Sequence, residues 1–330
     1  MQQTFYDFKA LEILNGKKPL LVCDDAFDAF GIKLPCKHVI FSGFTSNPRY
    51  EDVKSGVGFL KSNKCDIIVA IGGGSCIDAA KCIKYHSLLD IPIMAVPTTS
   101  GTGSEATRFA VIYVNGEKQS IADDKLLPEY VVLQPDMLKT VPIYQKKCTM
   151  LDALCQAIES WWSKKATPES IEYSRKAIKL ILDNIDNYLK NEDEGNMNML
   201  IASNFAGKAI NITTTTAPHA MSYKMTTLYG LPHGHAVALC LPKVWRYMKN
   251  FDNIANTLGK QNYDEAVLFF EQMLQTLNIL PPENVNTDDL DILTNSVNTQ
   301  RLENNPVRFE RDTIRALYEE VLAYQRKAFF

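Results

Sequence analysis

No stretch of this sequence stays apolar for long. Its longest apolar runs, such as residues 67–71, have the length of a strand. None approaches the ~20 residues that a membrane-spanning helix needs, so no membrane partner is expected. A surplus of one charge is also missing: 35 Lys and Arg stand against 38 Asp and Glu, for a net charge of −3. Without a basic surplus, nucleic acid is a poor candidate partner. The opening Met-Gln-Gln-Thr-Phe-Tyr-Asp-Phe-Lys has neither the apolar core of a signal peptide nor an Arg-rich transit pattern. The eight cysteines are scattered, several inside apolar runs, and read as reduced core thiols of a cytoplasmic protein. Heptads, low-complexity tracts and internal repeats are absent, which excludes coiled-coil and solenoid architectures. Histidine is scarce: there are five, yet three of them lie between positions 219 and 235.

What is present is an ordinary globular composition, 46% hydrophobic over 330 residues, long enough for two domains. Residues 1–140 read as an α/β domain. Strand-length apolar runs fall at residues 18–23, 38–41, 65–71, 91–96 and 130–133, with helical periodicity at 50–62 and 76–84. The continuous apolar character of residues 65–71 and 91–96 predicts a parallel, Rossmann-like sheet covered on both faces. Asn47-Pro48 reads as a turn. Pro135 and Pro142 mark the passage to residues 141–330, where strand patterns nearly vanish. Helices are expected at 145–162, 171–189, 197–212, 250–277 and 311–328. Thr167-Pro168 reads as an N-cap followed by proline at the first helical position, and residues 281–305 read as loop.

Two loops carry the chemistry of the first half. Residues 65–71 run into Gly72-Gly73-Gly74-Ser75 and then a helix with Asp78 and Lys81. Strand, glycine turn and helix is an anion-binding arrangement: glycine lets the backbone approach, and the free N–H groups of the first helical turn hold the charge. It is neither the Gly-x-Gly-x-x-Gly fingerprint nor a P-loop. The next strand ends in Pro97-Thr98-Thr99-Ser100-Gly101-Thr102-Gly103-Ser104-Glu105. Small hydroxyl residues and glycines at the carboxyl end of a neighbouring parallel strand suit a ligand crevice.

In the second half, Asp152-Ala153-Leu154-Cys155-Gln156-Ala157-Ile158-Glu159 sets Asp152 and Gln156 one helical turn apart on one face. His219 and His233-Gly234-His235 follow. A carboxylate and an amide aimed at two imidazoles look like a metal cage. Gln156 either ligates through its carbonyl oxygen, a weaker donor than imidazole, or fills the place and bonds a neighbour. His235 is expected just outside the ligand set, where it could orient a ligand.

These three motifs, in this order, resemble the iron-containing alcohol dehydrogenases, relatives of glycerol dehydrogenase and dehydroquinate synthase. The resemblance covers residues 20–242, and Asn304-Asn305-Pro306 is similar to the family's late Asn-Pro turn. It implies an N-terminal α/β domain binding NAD(P) and an all-α C-terminal domain holding a divalent metal, Fe²⁺ or Zn²⁺. By this resemblance Gly72, Gly73, Gly74 and Ser75 hold the pyrophosphate. Thr98, Thr99 and Thr102 line the cleft, Asp78 belongs to the same cofactor-binding set, and Lys118 approaches the nicotinamide ribose. Asp24 ends the first strong strand; a carboxylate there repels a 2′-phosphate and favours NAD. Asp152, His219 and His233 match three family ligands.

The chain departs from the family at two places. Gln156 stands where the family has a ligand histidine, and Tyr223 stands where it has a histidine linked to proton transfer. Tyr223 is then either a proton donor or a residue packed on substrate. The wording around Ser104, Asp152 and His219 resembles the phosphonoacetaldehyde reductase branch, whose substrate needs cations in its pocket. Arg108, Lys208 and Lys224 are the candidates. The resemblance thus implies NAD(P)H-dependent, metal-assisted reduction of an aldehyde to a primary alcohol, phosphonoacetaldehyde first, by a homodimer. A general short-chain alcohol or polyol dehydrogenase, and a metal-free nucleotide-binding protein, remain as alternatives.

Overall fold

The computed structural model describes residues 2–24, 27–46, 48–248, 251–286, 288–298 and 302–322. The chain divides into two compact units, residues 1–141 with 186–207, and residues 142–185 with 208–330. Residues 186–207, which the sequence pattern groups with the helical half, thus cluster with the first unit.

The first unit is built on β1 (Gln3–Phe5), β2 (Pro19–Cys23), β3 (Val39–Phe41), α1 (Tyr50–Ser62), β4 (Ile67–Gly72), α2 (Gly74–Ser87), β5 (Ile93–Pro97), β6 (Phe109–Val114), β7 (Glu117–Ala122) and β8 (Tyr130–Val132). Six strands form a parallel sheet in the order β1-β8-β5-β4-β2-β3, and β6 and β7 form an antiparallel hairpin. Although β4 is apolar throughout, its side chains still alternate. Ile68 and Ala70 join Leu20, Val22, Ile77, Ala80 and Ile83 in one core; Ile67, Val69 and Ile71 join Leu21, Met94, Val96 and Leu14 in the other. Both faces are covered, as expected of a parallel sheet. From β2 the chain moves to β3 on one side, and from β4 to β5 on the other. The carboxyl ends of β2 and β4 therefore flank a topological switch point, where open α/β sheets bind ligands. Asp24 follows one strand and Gly73 the other.

The sequence pattern missed β1, because three residues carry no readable period; residues 8–14 form a 3₁₀ segment. Asn47 of the expected turn lies outside the described residues.

The second unit is helical among the described residues. Its elements are α3 (Ile143–Trp162), α4 (Pro168–Leu189), α5 (Asp193–Thr213), α6 (Ala217–Tyr229), α7 (His233–Trp245), α8 (Asp252–Thr257), α9 (Tyr263–Thr276), α10 (Asp289–Ser296) and α11 (Arg311–Leu322); the unit boundary falls inside α4 and α5. Every residue of α3 from Cys148 to Trp162 is buried, the signature of a helix packed all round. Thr167 caps α4 by accepting the Ser170 N–H at 3.1 Å. The helix expected at 250–277 is two helices. Gly259 turns the chain with φ 71° and Asn262 caps α9, so a continuous apolar period hid a break. A short helix, α10, lies within the expected loop 281–305. Residues 323–328 of the last expected helix lie outside the described residues.

One contact in the first unit sets a sharp steric limit. Gly207 of α5 meets Gly103, which has φ 58°, so closely that a Cβ on Gly207 would sit 2.6 Å from the Gly103 carbonyl oxygen and 3.0 Å from the Ala106 Cβ. In a free helix Gly→Ala gains about 1 kcal/mol. Here overpacking against backbone costs about 1–3 kcal/mol and outweighs that gain. Gly207→Ala is expected to lower unfolding stability by about 1–2 kcal/mol in urea titration; an increase would show that the loop gives way freely.

Candidate active site

In the first unit, the glycine turn and the threonine loop are in contact. A Cβ on Gly72 would strike Cys76, one on Gly74 would come 2.7 Å from the Thr102 hydroxyl oxygen, and one on Gly73 would press on Thr99. Glycine is thus required at Gly72 and Gly74 by close approach. Gly73 is the N-cap of α2, so the first-turn N–H groups of Gly74, Ser75 and Cys76 have no intrahelical acceptors. Ser75 donates its hydroxyl to the Ser46 carbonyl, and Thr98 N–H bonds the Gly72 carbonyl at 3.0 Å. Thr98 is buried, Thr99 half-buried and Thr102 exposed. Asp24 and Lys118 are exposed, and the Lys118 charge acts on Asp78. Both Asp78 oxygens accept from the protein: Ser104 Oγ at 2.6 Å and Val111 N–H at 3.0 Å.

In the second unit, α3, α6 and α7 bring Asp152, His219 and His233 together, with one ligand atom of each within 4.8 Å of the others. Asp152 Oδ1 lies 3.3 Å from His219 Nε2 and 4.0 Å from His233 Nε2. A metal about 2.0–2.2 Å from each ligand atom separates them by about 3–4 Å, so the spacing fits. Three buried atoms here stand out: Asp152 Oδ1 and His219 Nε2 have only each other, at 3.3 Å, and the Gln156 amide oxygen has no hydrogen-bond partner. A buried polar atom without a partner is costly, and a cation would satisfy this set.

Behind His219 stands Glu159, fully buried and two turns along α3 from Asp152. One of its oxygens accepts from His219 Nδ1–H. The other accepts the Thr216 N–H at 2.8 Å and its hydroxyl at 2.9 Å, and Thr216 Oγ1 in turn accepts from Trp162 Nε1–H at 2.8 Å. A carboxylate on one imidazole nitrogen fixes the tautomer and presents the other nitrogen as a ligand. Asn304 fastens the preceding turn, donating to the Thr213 carbonyl at 2.7 Å. In the sequence, Glu159 is marked only by its i, i+7 spacing from Asp152, and its role emerges from the fold.

Tyr223, one turn after His219 on α6, stacks on the His233 ring with centroids 5.5 Å apart and planes 6° from parallel. Gly234 lets α7 reach α3: a Cβ there would collide with the Cys148 carbonyl and Asp152 Cβ. Neither ring nitrogen of His235 bonds a candidate ligand. Its Nε2–H donates to the Leu280 carbonyl at 2.8 Å and its Nδ1 accepts from the Tyr144 hydroxyl at 2.7 Å, so both nitrogens are engaged. Arg108 is ion-paired with Asp124 at 2.9 Å, while Lys208 and Lys224 are half-buried.

Residues 8–135 match the iron-containing alcohol dehydrogenases, and residues 147–322 match the C-terminal part of the same family. The chain belongs to the iron-containing alcohol dehydrogenase family. It is 29% identical over 306 residues to the phosphonoacetaldehyde reductase of Streptomyces viridochromogenes, covering 79% of this chain and 77% of that one. With the 1,3-propanediol dehydrogenase of Klebsiella pneumoniae it shares 33% identity over 290 residues, covering 76% and 74%. Among solved structures, the sulfoacetaldehyde reductase of Bifidobacterium kashiwanohense in complex with NAD+ superimposes with a TM-score of 0.92 at 25% identity, covering 98% and 97%. The fold is that of the family, an α/β half and an all-α half, and the chain is an oxidoreductase of the alcohol dehydrogenase and aldehyde reductase class.

Burial alone would lower the pKa of His219, but the carboxylates of Glu159 and Asp152 outweigh it and raise the imidazole to about 9. Burial alone would raise Asp152, and the nearby imidazoles hold it below its ordinary value. Protonated His219 falls in abundance as pH rises toward 9, and only its deprotonated Nε2 can bind a cation. Metal affinity is therefore expected to rise about tenfold per pH unit from 7 toward 9 and to level off above, with about one proton released per metal at pH 7. Calorimetry in buffers of different ionisation enthalpy measures that proton. Glu159→Gln is expected to weaken metal binding about 10–100-fold; an unchanged affinity in a competition titration would remove Glu159 from the centre.

Proposed function

We propose that this enzyme reduces a small aldehyde to a primary alcohol with NAD(P)H and a divalent metal, and that its substrate is phosphonoacetaldehyde, giving 2-hydroxyethylphosphonate. The observation that carries the metal-assisted reading is the convergence of one ligand atom each from Asp152, His219 and His233 within 4.8 Å of one another. The phosphonate reading is supported by the relative from Streptomyces viridochromogenes.

In this reading Asp152, His219, His233 and the Gln156 carbonyl hold Fe²⁺ or Zn²⁺, which supplies a Lewis acid for the aldehyde oxygen. Bound NAD(P)H would supply the hydride of the overall reaction, in which aldehyde, NAD(P)H and one proton become alcohol and NAD(P)+. Gly72, Gly73, Gly74 and Ser75 bind the pyrophosphate through free N–H groups of α2. Thr98, Thr99 and Thr102 line that crevice, and Lys118 serves the nicotinamide ribose. Asp24 at the switch point favours NAD over NADP. Tyr223 holds His233 by stacking and delivers a proton toward the alcohol oxygen. Arg108, Lys208 and Lys224 are the cations for the substrate anion.

A second reading has its own support. The sulfoacetaldehyde reductase neighbour and the phosphonoacetaldehyde reductase relative are both named for two-carbon aldehydes bearing a terminal oxoanion. Sulfonate and phosphonate differ in charge, so a comparison of the two aldehydes separates them.

Metal analysis and NADH oxidation test the proposal together. The purified protein should carry about one divalent metal, lost in Asp152→Asn, and should oxidise NADH faster with phosphonoacetaldehyde than with sulfoacetaldehyde, acetaldehyde or 3-hydroxypropanal. Equal rates with and without the phosphonate would sink the substrate assignment. Nucleotide binding with no turnover under any metal would sink the enzymatic reading. Arg108→Ala should raise KM for phosphonoacetaldehyde about tenfold, the loss of one charge-assisted hydrogen bond, and leave acetaldehyde unchanged.

A further inference from the structure

Lys81 is a fully buried ammonium that the proposed chemistry does not use. It lies one turn after Asp78 on α2, on the same face. Its Nζ donates to three backbone carbonyls, Ser104 at 2.5 Å, Thr107 at 2.7 Å and Phe109 at 2.8 Å, with the Ser104 and Thr107 hydroxyls at 3.1 and 3.3 Å. Burial pulls its pKa down to about 8 against the opposing carboxylates of Asp78 and Glu105, so it remains an ammonium at neutral pH. Asp78 takes the complementary groups of the same stretch, the Ser104 hydroxyl and the Val111 N–H.

These contacts join two parts of one site. The first turn of α2 carries Gly74 and Ser75. Residues 104–111 connect Thr102 to the hairpin that bears Lys118. Thr102 itself lies against Gly74 and accepts the Ser104 N–H at 3.2 Å. The geometry points to Lys81 and Asp78 as positioning residues: two charged side chains on α2 that together clamp the threonine loop and the β6–β7 hairpin onto the phosphate-binding turn, and so set cofactor affinity without touching the cofactor. This rests on the nucleotide reading of Gly72–Ser75. Three carbonyls converging on one point need three donors, and among side chains a lysine ammonium offers them from a single atom. Methionine fills the volume of Lys81 but leaves the carbonyls without donors.

Lys81→Met and Asp78→Asn test the clamp in the metal-loaded full-length enzyme, each checked by circular dichroism and melting temperature. Each folded variant is expected to raise the Kd for NADH, read by fluorescence, by about tenfold or more. kcat at saturating NADH should stay within about threefold of the unmutated value, and metal content and aldehyde KM should be unchanged. A purely structural role would lower the melting temperature and leave the NADH Kd alone, and that result overturns the proposal. A kcat loss equal to the loss in kcat/KM overturns it as well. Should Lys81→Met fail to fold, Asp78→Asn decides by the same criteria. If the unmutated enzyme itself binds no NADH, the nucleotide reading fails first, and the two failures are thereby told apart.

Discussion

Everything in the helical unit answers to one carboxylate that has lost its water. Asp152 is 3% exposed on a helix whose other residues from 148 to 162 are also buried. A charge in such a place needs a positive partner close by, or it must take up a proton. The structure supplies imidazoles from α6 and α7; α7 packs closely on α3, and Gly234 leaves no side chain in the way of that approach. Glu159 adds a second buried carboxylate behind His219, and two acids facing one imidazole make a centre that favours a cation. The anionic set therefore favours a cation, which a proton on His219 or a divalent ion can supply.

The first unit meets a different constraint with similar economy. An anion-binding turn cannot have side chains in the way, so Gly72 and Gly74 leave the space to Cys76 and Thr102. Backbone freed in this way still has to be held still. The work falls to α2, whose own side chains reach the loop that faces its N-terminus. Flexible glycines are thus framed by a buried Lys81 and a half-buried Asp78.

How much of this could be read in the sequence differs from place to place, for physical reasons. The glycine turn, the threonine loop and the spacing of Asp152 and Gln156 are local patterns, written in consecutive residues or one helical turn, and the fold bears out the sheet and helices around them. The short strand β1 was invisible because its stability comes from pairing with β8, far along the chain. The break at Gly259 was hidden by an apolar period that happened to continue across it. Glu159 stood in plain view, but its partner Thr216 and the Trp162 indole come together only in three dimensions. The switch point beside Asp24 is likewise a property of strand order, which no local window contains.

The doubly tethered His235 has a consequence for how α7 is set. Two residues along a helix are about 200° apart around its axis, so His233 and His235 point to nearly opposite sides. His235 is bolted at both ring nitrogens, to Tyr144 on α3 and to the Leu280 carbonyl. It behaves as a keyway that fixes the rotation of α7 about its own axis. The angle at which His233 faces Asp152 is then decided on the far side of the helix, by groups that never meet the metal centre.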